Sequence, residues 1–187
     1  MIYIKIYTLR EEYKMTNEKL TELMIEGIKT AISYVLEEYG EEDIYILSLQ
    51  ADNHSTPDGD YTLTFYVNTE ENHAQNMVDS CDDPWYYRFC EYEWYVMADS
   101  PEYFDKALEY INSTDDEVDG DDVYECIVQS VVKLREDGYF ESDFSHFVFF
   151  SVEALEYFEP DDIIDMVVRM NGKENFKDYI ANSEAFL

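Results

Sequence analysis

The chain is short of bases. Twelve lysines and arginines stand against forty-four aspartates and glutamates, a formal net charge of −32 over 187 residues. A field of that sign repels nucleic-acid phosphates and anionic membranes and attracts basic proteins and cations, so no nucleic-acid or membrane partner is expected. Glycine (6), proline (4), cysteine (3) and histidine (3) are also scarce. The few glycines form neither a phosphate-cradling run nor a G-x-S-x-G elbow. His54, His73 and His146 include no pair at helical spacing, which removes the usual zinc arrangement. Cys81, Cys90 and Cys126 show no C-x-x-C spacing, and an odd count suits reduced thiols in a cytosol. Acidic surroundings raise the pKa of a thiol such as Cys81, even with His73 nearby in sequence, and so weaken it as a nucleophile. The apolar run Ile2 to Tyr7 is too short for a signal peptide or a membrane span and is broken by Lys5, so a cytoplasmic protein is expected. Carboxylates are so plentiful that no pair singles itself out as acid and base. Catalytic residues, metal and cofactors are therefore expected to be none, and the chain reads as a non-enzyme.

What is present argues for a folded body. Hydrophobic residues make up 46 % of the chain and aromatic residues 17 %, with eighteen tyrosines and eleven phenylalanines. Disordered acidic chains lack such rings. The length suits one domain with a real core, and residues 1–187 read as a single unit in which 1–14 form an extra edge strand or appendage. The charge exceeds what solubility needs and costs stability through self-repulsion. Salt-adapted proteomes carry such charge for solvation alone. That adaptation does not require so many rings.

Taken in order, Ile2, Ile4 and Ile6 alternate with Tyr3, Lys5 and Tyr7, a period of two that predicts a short strand. Thr16 is a plausible cap for an amphipathic helix. Its buried face would run through Leu20, Met24, Ile28, Ile32 and Val35 to about Tyr39, with Gly40 as the stop. Ile44 to Ala51 and Tyr61 to Val67 read as strands pairing in a hairpin across a turn at 53–60. Thr69 caps a short helix over 70–78, and Ser100-Pro101 opens another with Phe104, Leu108 and Ile111 on its buried face. A helix from Val123 stops at Gly138. Phe144 to Val152 reads as a strand, Pro160 to Gly172 bounds a helix, and a last short helix covers 175–180. The succession predicts an α+β fold, an antiparallel or mixed sheet covered by amphipathic helices.

Two stretches invite a functional reading. Trp85 to Tyr95 holds both tryptophans, four tyrosines and Arg88. So much apolar area is expected to be buried as a core strand or turn, or else to form an interface. Arg88 is expected to stack on a ring or to pair with Glu91 or Glu93. The second stretch, Asp115 to Asp122, is an acidic loop between two helices. Carboxylates fall at calcium-loop positions 1, 3 and 5 and Gly120 at 6, but Asp122 stands at 8 and Cys126 at 12, where an apolar residue and a glutamate belong. A solvated loop is the better reading.

Several pieces resemble a bacterial family known only as a domain of unknown function, whose members are often encoded beside polymorphic or contact-dependent toxins. They are Asp43 to Leu49, Tyr66 to Glu71, Tyr87 to Trp94 (Arg88-Phe89 where the family tends to have Arg-Trp) and Val132 to Phe140. The resemblance covers about residues 17 to 155. It implies an immunity protein that occludes the active site of a cognate, basic toxin, with no catalytic residues to carry over. The charge points the same way, because acidic surfaces with aromatic anchors suit fast association with basic partners. The expected partner-binding residues are Asp79, Asp82, Asp83, Trp85, Tyr86 and Tyr87, joined by Asp115, Asp116, Glu117, Asp119, Asp121 and Asp122. The alternative is an acidic DNA mimic blocking a DNA-binding or defence protein, which would show regular rows of carboxylates on an elongated body.

Overall fold

A computed structural model describes residues 2–54, 56, 59–79, 84–98, 101–113, 118–154, 157–175 and 177–185, with the backbone alone at 2–16, 78–79, 95–98, 101 and 185. The first element departs from expectation. Ile2–Tyr39 is one continuous helix, α1, with no N-terminal strand and no cap at Thr16. Three alternating pairs are too short a signal to set against a stretch in which neither proline nor glycine occurs before Gly27, because an established helix propagates cheaply. Leu20, Met24, Ile28, Ile32 and Val35 are buried, as their spacing predicts.

The hairpin is present. Strands β1 (Ile44–Asp52) and β2 (Thr62–Thr69) pair antiparallel. Thr69 closes β2 and caps α2 (Glu70–Asp79), its hydroxyl accepting the Asn72 N–H at 3.1 Å. The aromatic stretch is mostly helical: α3 (Pro84–Phe89), one 3-10 turn over Glu91–Glu93, and only then strand β3 (Tyr95–Ala98). Proline at the first helical position fits that start. A 3-10 turn at Pro101–Tyr103 leads to α4 (Asp105–Ser113), and Ser100 lies outside the described residues.

Helix α5 (Gly120–Glu136) begins earlier than predicted. Asp119 is its N-cap and accepts the Asp121 N–H, so Asp121 and Asp122 form its first turn and not a loop. Gly138, at φ +71°, supplies the left-handed residue that turns the chain into the unanticipated short helix α6 (Tyr139–Asp143). Strand β4 is limited to Phe149–Glu153, five residues later than predicted, because residues 139–143 are helical and Phe144–Val148 make the irregular approach to the sheet. Helix α7 (Pro160–Asn171), stopped at Gly172, and helix α8 (Lys177–Ala181) complete the chain.

The sheet is mixed, in the order β3-β2-β1-β4, with β1 and β4 parallel. The protein is an α+β domain, as predicted. One sheet face is apolar: Leu47, Leu49, Leu63, Phe65, Val67, Phe150 and Val152 are buried in the core shared with α1, α4 and α5. Phe65 meets Phe104 there (centroids 6.4 Å apart) and Phe150 (6.1 Å). Gly27 lets α1 approach closely, since a Cβ at that position would lie 2.3 Å from the Phe104 ring and 2.9 Å from the Tyr103 carbonyl oxygen. The other face carries polar residues in register, Ser48 beside Ser151 and Gln50 beside Glu153.

Candidate functional site

The predicted partner-binding residues divide three ways. Asp82, Asp83, Asp115, Asp116 and Glu117 lie outside the described residues, and only the backbone of Asp79 is described. Trp85, Tyr86 and Tyr87 are half-buried on α3. The Trp85 indole stacks on Phe89 (6.0 Å, 6°), and Tyr86 meets Tyr87 edge to face (5.4 Å). They pack inward more than a free anchor would. Asp119, Asp121 and Asp122 sit at the start of α5, away from that cluster in the sequence of elements.

Arg88 is settled by neither Glu91 nor Glu93. Its fork meets Glu70 on α2 through two hydrogen bonds of 2.8 and 3.1 Å, and its guanidinium lies 4.2 Å above the Tyr45 ring. The pairing holds the Glu70 carboxyl below its ordinary pKa. Tyr45 in turn donates to the Arg88 carbonyl (2.9 Å) and accepts from Asn68 (2.8 Å). The chain leaves the helix at Cys90, which is extended, and Glu91 is buried against the sheet on Ser48 and Ser151.

Burial makes Glu91 unusual. Its Oε1 accepts both the Ser48 hydroxyl (2.9 Å) and the Ser151 hydroxyl (2.8 Å). Desolvation, with a smaller contribution from the Glu153 charge, pushes its pKa up to about 7. Alongside, Gln50 donates to Glu153 (2.5 Å) and accepts from Tyr66 (2.7 Å). Tyr179 of α8 closes the layer, packed on Phe89 (5.1 Å) and Phe149 (5.3 Å). This cluster did not emerge from the sequence. The available signal was the polar alternation Ser48, Gln50 and Ser151, Glu153 inside two otherwise apolar strands.

The acidic residues that do converge form a groove between α5 and α7. Asp121 and Glu125 face Asp162 and Asp165 across a cavity of about 520 Å³, with Tyr157 and Phe158 among its walls. Asp121 and Asp162 lie in the first turns of their helices, where the helix dipole favours acids. Glu125 is bound bidentately by Arg169 (2.6 and 2.9 Å) and accepts from Gln129 (2.8 Å), which lowers its pKa. A second hollow of about 510 Å³ shares Arg169 and continues past Gln129, Lys133 and Glu136. The groove therefore presents carboxylates beside rings, with one resident guanidinium already seated on them. It can hold cationic side chains; nothing in it arranges a nucleophile.

Fold and site together define a mixed α+β domain with an acidic, ring-lined groove and a buried hydrogen-bonded polar layer. Residues 24–172, 149 of the 187, match the family described as Domain of unknown function (DUF4303), and the chain belongs to that family. No curated protein and no solved structure matches significantly. Three of the four stretches that carried the resemblance meet in space, through Ser48, through Asn68 with Glu70, and through Arg88 with Glu91. Among the described residues, no helix is long and apolar enough to cross a membrane, and no group of three or more potential ligands is placed to hold a metal ion.

Proposed function

We propose that the protein is a non-enzymatic immunity protein that neutralises a basic bacterial toxin by occluding its active site. The observation that carries the reading is the groove in which Asp121, Glu125, Asp162 and Asp165 surround Tyr157 and Phe158. In a chain of net charge −32, such a groove attracts a cationic surface from a distance and then offers rings for close packing. Arg169 on Glu125 is an internal example of the contact a partner's arginine would make. The sequence resemblance to a family encoded beside toxins supports the same reading. A concave, ring-lined groove suits a protein partner better than it suits mimicry of a regular phosphate row.

The test is co-expression with the neighbouring upstream open reading frame, scoring viability and co-purification. Relief of toxicity through a stable one-to-one complex is the expected result. A harmless neighbour, or a toxic one that this chain neither binds nor relieves, overturns the proposal and turns attention to host DNA-binding proteins.

A further inference from the structure

The fourth stretch of the resemblance, Val132 to Phe140, lines the extension of the groove with Lys133 and Glu136 on one side of α5 and has a second feature of its own. It is organised around Arg135. In a chain with almost four acids for each base, the two other arginines whose side chains are described each find a carboxylate: Arg88 pairs with Glu70 and Arg169 with Glu125. No carboxylate among the described residues comes within ion-pair distance of Arg135. Its Nε donates to the Met170 carbonyl (2.6 Å), and its Nη2 donates to the Val148 carbonyl (2.7 Å) and Asn171 Oδ1 (2.8 Å). The guanidinium lies over both the Phe140 and Phe147 rings, 4.6 and 4.5 Å from their centroids. Burial pushes its pKa down to about 10, against the smaller opposing effect of the Glu141 charge.

These contacts staple α5 to the end of α7 and the start of β4. They leave the Nη1 group without a hydrogen bond among the described residues, although a guanidinium has five N–H donors. Arg135 also lines a cavity of about 230 Å³ whose other walls are Phe140, Phe144, Ser145, His146 and Phe147, with Glu141 at its side. Phe147, which covers the guanidinium, is itself 42 % exposed. The cavity thus offers one cation that forms no ion pair among the described residues, with Glu141 near it, three apolar rings, and the Ser145 hydroxyl, whose described contact is a long one of 3.4 Å to His146 Nδ1.

We propose that this cavity is a binding site for a small monocarboxylate with an apolar body. The carboxylate would meet Nη1 of Arg135 and the Ser145 hydroxyl, and the body would lie among Phe140, Phe144 and Phe147. A charge-assisted bond to a half-buried guanidinium is the strong kind, and Nη1, which donates to no described group, is left for a ligand. Glu141 and the overall negative field disfavour a dianion such as phosphate, because a second negative charge would have no second cation. The volume is below the range of drug-sized pockets, which sets the ligand at about the size of an arylacetate. The site is independent of the toxin-binding reading.

Nitrogen-15 NMR on the full chain tests it, because only four arginine Nε–Hε signals exist to assign. The probe is phenylacetate at constant ionic strength, up to roughly 20 mM, where a millimolar site saturates. The expected result is a saturable shift of the Arg135 Nε–Hε signal and of the amides around Ser145. Phenylacetamide, which lacks the charge, should bind at least about tenfold more weakly. Ser145→Trp, a change at an exposed position that fills the mouth, should abolish the shift while leaving distant amides in place. The proposal is overturned by no saturable shift, by equal binding of the amide, by parallel shifts at Arg88 and Arg169, or by undiminished binding in Ser145→Trp.

Discussion

Ser48 and Ser151 stand opposite each other on the parallel strands β1 and β4, and both donate their hydroxyls to the same oxygen of Glu91. Two neighbouring strands are thereby tied to the turn that follows α3, so that the aromatic segment is fastened to the sheet by a single buried carboxyl. Its protonation state decides how well the fastening holds.

The pH dependence follows from the raised pKa. A carboxyl ordinarily near 4.5 that is raised to about 7 in the folded state binds its proton more tightly when folded. Its stabilising contribution is complete below about pH 4.5 and is lost as pH rises towards 7, a swing of roughly 3 kcal/mol. Glu91→Gln keeps an acceptor oxygen and has no charge to bury. Urea unfolding at pH 5 and pH 8 should show the variant gaining on the wild type by roughly 2–3 kcal/mol between the two. A constant gap across that range would refute the assignment.

Arg88 joins α3 to α2 and to β1 through Glu70 and Tyr45. Arg88→Ala should cost about 1–2 kcal/mol, the ion pair being partly exposed and therefore discounted. Arg88→Lys should recover less than half of that loss, since an ammonium cannot meet Glu70 with a fork. Denaturation midpoints of the three proteins check this, and full rescue by lysine would show that charge alone matters.

At Gly27 the approach of α1 to Phe104 and to the backbone of Tyr103 leaves no room for a methyl group. Gly27→Ala would add helix propensity, worth up to about 1 kcal/mol, and lose more to the clash. A net destabilisation of about 1–2 kcal/mol is expected. Thermal unfolding decides the sign, and a stabilised variant would mean that Phe104 moves aside easily.

If the α5–α7 groove is the interface proposed above, Asp162→Lys with Asp165→Lys should slow association with the proposed basic partner by roughly tenfold at low salt, with less effect at high salt. Stopped-flow or surface-binding kinetics provide the comparison. Equal association rates for the two proteins would place the interface elsewhere.

The helical and strand periodicities of this chain were largely legible: the buried stripe of α1 from Leu20 onward, the hairpin, the cap at Thr69, and the stops at Gly40, Gly138 and Gly172 all follow from local chemistry. Local pattern misled where it was brief or ambiguous. Ile2, Ile4 and Ile6 alternate but are absorbed by a helix, and the aromatic run from Trp85 begins as a helix because Pro84 can start one.

The acid-rich composition and the aromatic content by themselves determined a folded, strongly anionic chain, because burial of rings and repulsion of like charges depend on residue type alone, and the spacing of the apolar residues made it α+β. Only the tertiary structure decided which charges matter. Arg88 reaches Glu70 on another helix, past the glutamates beside it in sequence, and Glu91 turns inward to two serines 43 and 60 residues away. Among the described residues Arg135 forms no ion pair, and its hydrogen bonds go to two carbonyls and to Asn171. Partner choice among forty-four carboxylates is set by distances that exist only after the helices have packed, and desolvation then fixes what each charge is worth.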